Sequence, residues 1–398
     1  MSAEASDKRP TVLQIVPALE TGGAERTAVD IALRLDREGW GSIVASAGGR
    51  MVAELDAAGV RHVALPLVAR DPLTILRNFG RIGALVRETG CDILHARSRA
   101  PAWSAYAAAR RTGAAFVTTY HGAYGQKGRA KALYNSVMAR GERVIANSHW
   151  TAGLIAERHP FARGRIVAIP RGTDFGDFDP DAIDPSRLDR LRRAWGVADH
   201  ATPLIVNLAR LTGWKGQAVL IEAVARLHRE GAWPEAARLV LAGDAQGRHD
   251  YLASLRQAIA AAGLDDRILL PGHCDDPAAA MALADIAVVA STEPEAFGRA
   301  AVEAQAMRAA LIVTRIGAVE ETVLAAPEVP AEEATGLKVP PGDAAAMAQA
   351  LRQLLAMSPQ ARTAMGERGR AHVTAAFSLP RMEEATLAVY RDVMAGRT

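Results

Sequence analysis

The chain has 398 residues, 49% hydrophobic and 23% charged, with a net charge of +3. That length exceeds what one hydrophobic core comfortably fills, so two domains are expected, and the composition excludes a largely disordered chain. Two distant cysteines, Cys91 and Cys274, exclude a disulfide framework or a Cys-rich zinc site and suit a reducing compartment. No window reaches the ~20 apolar residues of a membrane span and the opening residues carry no apolar signal core, so a cytoplasmic location is expected.

In chain order, short apolar runs alternate with longer helical patterns, the pattern of parallel α/β architecture. The first half has strands in TVLQIVPAL, GSIVASAG, HVALPL, DILHAR, AFVTTYHG, RVIANS and RIVAIP. After the first strand, Gly22 and Gly23 open a helix, where a glycine backbone lets a phosphate approach closely. This is not G-x-G-x-x-G, which counts against a dinucleotide-binding dehydrogenase. In VTTYHG, His121 follows a strand, placed either to contact a reacting sugar or to cap the strand end. KALYNSVMAR reads as a helix with apolar Leu133, Val137 and Met138, amid Lys127, Arg129, Lys131, Arg140 and Arg143. Those cations form either a solvated face or a patch for an anionic membrane surface.

The stretch PRGTDFGDFDPDAIDPSR, rich in Pro, Gly and Asp, reads as a linker. Splitting the chain after Pro180 leaves 24 Lys and Arg against 17 Asp and Glu before it, and 23 against 27 after it. A basic first half implies an anionic partner, a lipid headgroup or phosphorylated glycan rather than nucleic acid. Asp177 and Asp179 imitate a metal-binding triplet but lie in this linker; no metal is expected.

The second half restarts with PLIVNLARL, ARLVLAGD, RILLPGH, IAVVAS and ALIVTR. Its first strand runs into ARLTGWKG, which puts Arg210 and Lys215 in a strand-to-helix loop suited to phosphate oxygens. Asp275 and Asp276 read as an N-cap signal before PAAAMALA. IAVVAS leads into STEPEAFGRAAVEAQAM, with Glu295 in a turn, a helix starting near Phe297 and Gly298, and Glu303 inside it. If the intervening residues are mostly helical, the eight steps between the glutamates span roughly 12 Å. Two carboxylates so placed grip hydroxyls at opposite ends of a long ligand, with the helix N-terminus between them for a phosphate. Solvated carboxylates on a helix face are the competing reading of that segment alone. The chain closes on an amphipathic stretch, LPRMEEATLAVYRDVMAG.

These segments, in this order, resemble the retaining glycosyltransferases of family four. Glu295 and Glu303 in EAFGRAAVE match its Glu-x7-Glu pattern; ANSHWTAGLIA, IPRGTDF, LARLTGWKGQAVLIEA, LVLAGDAQGR and GAVEETV match elsewhere. The resemblance implies an α/β GT-B fold: two facing Rossmann-like domains with an interdomain cleft, an acceptor-side domain at 1–180, a donor domain at 181–379, and a terminal helix at 380–398 crossing back to the first.

It further implies a metal-independent, retaining hexosyltransferase acting on a nucleotide-diphosphate sugar. Glu303 would bind the ribose, Glu295 the transferred sugar, Arg210 and Lys215 the diphosphate; Gly22 and Gly23 would approach the diphosphate, with His121 near the reacting sugar. The acceptor would be a glycan or lipid-linked glycan of the cell envelope, as in lipopolysaccharide biosynthesis, met at the inner membrane face. A nucleotide-sugar epimerase, a phosphorylase, an oxidoreductase and a degenerate non-catalytic relative are the alternatives. The family's Gly-x-Pro after the Glu-x7-Glu helix is here Arg308 to Ala310, and its paired glycines are here Gly317 and Ala318. A non-Gly residue ending a helix in the left-handed region costs on the order of 1 kcal/mol.

Overall fold

The computed structural model describes residues 9–20, 22–69, 71–125, 128–197, 199 and 201–397. The chain divides into two compact units, Met1–Gly172 with Pro380–Thr398, and Thr173–Leu379.

The first unit carries seven strands: β1 (Thr11–Ile15), β2 (Gly41–Ser46), β3 (Arg61–Ala64), β4 (Ile93–Ala96), β5 (Ala115–Tyr120), β6 (Arg143–Ala146) and β7 (Ile166–Ala168). All pair in parallel, in the order β3-β2-β1-β4-β5-β6-β7. Every residue of β1, β4 and β5 is buried, as a sheet covered on both faces by helices requires. The covering helices are α1 (Gly23–Arg37), α2 (Val52–Ala57), α3 (Pro72–Thr89), α4 (Arg99–Thr112), α5 (Arg129–Ser136) and α6 (His149–Arg158). Asp71 caps α3 by accepting from the Thr74 amide at 2.8 Å, and Ser148 caps α6 through the Thr151 amide at 3.0 Å.

The second unit has β8 (Leu204–Leu208), β9 (Arg238–Ala242), β10 (Ile268–Gly272), β11 (Ile286–Val289), β12 (Ala310–Thr314) and β13 (Leu337–Val339). They form a parallel sheet in the order β10-β9-β8-β11-β12-β13. Its helices are α7 (Pro185–Ala194), α8 (Gln217–Arg229), α9 (His249–Ala261), α10 (Pro277–Ala282), α11 (Arg299–Ala306), α12 (Ala344–Ala356) and α13 (Pro359–Ala376). Asp276 caps α10 and also receives both arms of Arg187, at 2.7 and 2.9 Å. The sixth strand, β13, is absent from the sequence reading because its three residues carry Lys338 at the centre and form no apolar run.

The last helix, α14 (Leu379–Ala395), belongs with the first unit. Its Tyr390 is fully buried and shares a hydrogen bond of 2.6 Å with His95 Nδ1, while Arg143 Nε donates to Asp392 at 2.7 Å. The division falls after Gly172 and not after Pro180. Phe175 and Phe178 explain this: both pack against Phe297, Val302 and Phe377 of the second unit. Asp179 of the supposed linker is tied down too, accepting from Arg370 at 2.9 Å.

Candidate functional site

In each sheet the strand order reverses once, between β1 and β4 in the first unit and between β8 and β11 in the second. Loops at the carboxyl ends of the strands flanking such a reversal splay apart and leave a crevice where α/β proteins bind ligands. Most of the singled-out residues lie on these four loops.

In the second unit, the loop after β8 carries Arg210 and Lys215, and the loop after β11 carries Glu295. Lys215 Nζ donates to Glu295 Oε1 at 2.7 Å, with both side chains about nine-tenths shielded from solvent. Ser291 Oγ donates to the same oxygen, and the Lys215 ammonium lies 4.4 Å above the Trp214 ring. One carboxylate oxygen thus holds two donors, while the Thr292 amide bonds the Trp214 carbonyl at 2.8 Å and ties the loops together. Glycines make that approach possible. Gly216 lies at φ +75°, and a Cβ there would fall 1.9 Å from the Ala290 carbonyl oxygen. Gly317 lies at φ +69°, where a Cβ would meet the Glu295 backbone at 2.6 Å.

Gly317 is therefore the indispensable member of the family's glycine pair. Ala318, at the second place, is fully buried and its amide donates to the Glu295 carbonyl at 2.9 Å. Arg210 is exposed, and its side chain has no hydrogen bond or ion pair among the described residues.

The helix after Glu295 begins at Arg299, with Gly298 as N-cap at φ +90°. Residues 299–303 are helical and 296–298 are not, so helix covers only the second part of the path from Glu295 to Glu303. Phe297 turns its ring into the core, 5.5 Å from that of Phe377, leaving only its backbone for a ligand. Glu303 is buried and accepts from Arg299 NH2 at 2.7 Å. Arg308 does take the left-handed conformation, at φ +63°. Its side chain makes a two-armed ion pair with Asp181, at 2.6 and 2.8 Å, and a contact to Glu367 at 2.8 Å.

In the first unit, His121 follows β5. Its Nδ1 lies 3.4 Å from Arg171 NH2, and its Nε2 has no hydrogen-bond partner among the described residues. Burial first, then the charges of Arg171 and Arg97, hold it well below the ordinary imidazole value, so the ring is neutral at pH 7. His121, Arg97, Asn147 and Arg171, each just past the end of a different strand, line a small cavity of about 20 Å³, room for one water. Arg97 is 2% exposed; its Nε donates to Gln14 Oε1 at 2.5 Å, and its NH2 has no hydrogen-bond partner among the described residues. Beneath it, fully buried His95 spans Tyr390 and Thr119. Arg97 and Arg171 were missed from sequence, although both end strands, in DILHAR and RIVAIPRG.

Gly22 and Gly23 are crowded by side chains of their own unit. A Cβ on Gly23 would meet the Arg171 guanidinium at 2.1 Å, and one on Gly22 the Glu25 carboxylate at 2.1 Å. The basic cluster does not form one face. Arg143 pairs with Asp392, Arg140 lies 5.7 Å from the rings of both Trp103 and Phe161, and Lys127 lies outside the described residues. The expected apolar face also divides: Val137 and Met138 are buried in a 3-10 turn, whereas Leu133 is 60% exposed. Among the described residues no group of three or more His, Cys, Asp or Glu is placed to hold a metal ion, and no helix is long and apolar enough to cross a membrane. Cys91 and Cys274 are free and buried.

Comparison with known proteins fits this layout. The family model described as Glycosyltransferase Family 4 matches residues 21–176, and that described as Glycosyl transferases group 1 matches residues 202–357. A glycosyltransferase structure from Rickettsia africae is 33% identical, with TM-score 0.86 over 97% of this chain and 99% of that one. The Anabaena protein HepE, solved with UDP and glucose, shares the fold at 22% identity, TM-score 0.81, over 96% of this chain and all of that one. D-inositol 3-phosphate glycosyltransferase of Salinispora arenicola is 30% identical over 264 residues, 65% of this chain. This chain spans little more than half the length of that relative, 56%. Two parallel-sheet Rossmann-like units, the paired family models and a full-length likeness at 33% identity place this chain in glycosyltransferase family 4, with the GT-B fold.

Proposed function

We propose that this chain moves a sugar from a nucleotide-diphosphate donor to an anionic or lipid-linked glycan of the cell envelope, with retention of configuration and without a metal. The observation that carries the donor half is the Lys215–Glu295 pair, held between two strand-end loops at the reversal of the second sheet. Lys215 and exposed Arg210 supply positive charge, and α11 begins one residue past Gly298 with its first amides unpaired along the helix. Departure of a nucleoside diphosphate concentrates negative charge on the leaving phosphate, and cations fixed beforehand stabilise it. Glu295 is assigned the hydroxyls of the transferred sugar and Glu303 the ribose; each holds a donor already, so each orients without acting as a free base. His121, neutral and with Nε2 open, is assigned a hydroxyl of the sugar rather than a charge.

Support for a UDP-type donor comes from HepE, and for a phosphorylated acceptor from the inositol phosphate enzymes, both read by likeness. An epimerase or phosphorylase would use the same donor pocket and differ in its products.

The deciding experiment is a thermal-shift panel of UDP-, GDP-, ADP- and CMP-sugars, followed by turnover with and without chelator and acceptor extract. One nucleotide class should raise the melting temperature by mass action. Acceptor-dependent release of nucleoside diphosphate, undiminished by chelator, is the expected result. No stabilisation by any nucleotide, or product formed without acceptor, would overturn the assignment.

A further inference from the structure

The six exposed large hydrophobics among the described residues are Val68, Leu73, Leu76, Leu133, Tyr134 and Phe161. Five of them sit on just three neighbouring segments of the first unit: the turn after β3, the start of α3, and α5. Scattered surface leucines need no explanation, but a cluster rimmed by polar groups marks a binding surface. Two of the five, Val68 and Tyr134, line a groove of about 620 Å³, within the size range of small-molecule sites. Val68, Ala69, Ile75 and Pro17 form its apolar side, and Tyr134 with Lys131 its opposite wall.

The remaining wall is the N-terminus of α4, where Ser98, Arg99 and Ala100 reach the groove. This helix has 14 residues, and its N-cap Ser98 makes no side-chain bond to the first-turn amides, which leaves them open to a ligand. Arg99 is fixed there, its guanidinium 4.0 Å over the Tyr124 ring and its NH1 donating to Asn135 Oδ1 at 3.0 Å. Among the described residues no carboxylate lines the groove, and Asp71 is engaged in capping α3. One end is therefore cationic and rich in donors, and the other is apolar and open.

The geometry points to a lipid phosphate as the occupant: the phosphate at Arg99, Lys131 and the α4 amides, the first methylenes of the hydrocarbon along Val68, Ile75 and Tyr134. This rests on the glycosyltransferase reading and sharpens its acceptor to one carried on a lipid phosphate. Charge complementarity sets the polarity of binding, because only an anion suits the α4 end. An uncharged detergent or a free sugar satisfies half of the groove each.

The test titrates dodecyl phosphate, below its micelle concentration, into the full chain by calorimetry, with UDP titrated into the same samples. Saturable binding is expected, weakened at least tenfold by Val68→Glu and by Lys131→Glu, two exposed positions whose change leaves the core untouched. Inorganic phosphate at equal concentration should not displace the amphiphile, and dodecyl maltoside should bind far more weakly. Variants that bind as tightly as the parent, displacement by inorganic phosphate, or equal binding of the maltoside would each overturn the groove. So would a drop in sedimentation coefficient on Val68→Glu, which would make the patch a contact between two copies. Retained nucleotide binding without dodecyl phosphate binding overturns the groove alone, whereas failure to bind dodecyl phosphate together with every nucleotide of the thermal-shift panel overturns the donor assignment as well.

Discussion

The carboxyl edges of the two sheets are built from the same topology and finished in opposite ways. In the second unit the strand-end loops press together through glycines, and opposite charges meet: Lys215 on Glu295, Arg299 on Glu303. In the first unit the corresponding edge gathers like charges, Arg97 and Arg171 around a neutral His121, and beyond them leaves apolar side chains in water. The difference teaches where each unit spends its stability. A tight crevice closed by opposite charges is pre-set for one kind of ligand, while an edge that gathers like charges favours an anion.

Breaking the paired crevice should cost most. Lys215→Ala removes the cation proposed to stabilise the leaving phosphate, and on that proposal turnover should fall about a hundredfold, roughly 3 kcal/mol of transition-state stabilisation. Nucleoside diphosphate release under saturating donor measures it, and near-parental turnover would remove Lys215 from the assignment. Gly216→Ala should lower folding stability by about 2–4 kcal/mol, because its Cβ would meet the Ala290 carbonyl at 1.9 Å in a left-handed backbone. The midpoint of urea unfolding reports this, and an unchanged midpoint would mean the two loops do not need their close approach.

Much of this was legible in the sequence, and the reasons it was differ by level. All seven strands of the first sheet and five of six in the second are read from the sequence, the central ones because buried parallel strands are rich in apolar residues. The glycines of ARLTGWKG and GAVEETV were legible as permissive positions, but which one is indispensable depends on a backbone brought up from another loop. Arg171 escaped notice because nothing local distinguishes an arginine that turns back onto Gly23 from one in solvent. Phe297 was placed at the phosphate by its position, and only tertiary packing against Phe377 shows that its ring faces away. KALYNSVMAR reads as one helix with apolar Leu133, Val137 and Met138, but the change to a 3-10 turn at Val137 buries the last two and leaves Leu133 outside.

The first unit's edge offers gentler tests. Tyr390→Phe deletes the hydroxyl shared with His95 and leaves a buried ring nitrogen without that partner, at a cost of about 1–2 kcal/mol in urea unfolding. Turnover should be nearly unchanged at temperatures where the variant stays folded; a large loss there would make the pair part of the chemistry. The smallest effect concerns His121. Its value in the folded chain is depressed, so the unfolded chain binds more protons in the interval from that value up to the ordinary one near 6.5. Its contribution to stability is therefore complete above about pH 6.5 and declines as the pH falls through that interval. Between pH 7 and 8 neither stability nor turnover should change on its account, and nuclear magnetic resonance titration of the ring should show no inflection there.

The bond between His95 and Tyr390 joins positions 295 residues apart in sequence. While the polypeptide emerges from the ribosome, β1 to β7 are made first, yet the helix that covers His95 follows only after the whole of Thr173–Leu379. The second sheet can close as soon as its own residues appear, whereas the first waits with a polar, uncovered seam. A nascent or proteolysed fragment ending near Gly172 should therefore be the aggregation-prone species, and supplying residues 379–397 as a separate peptide should rescue it.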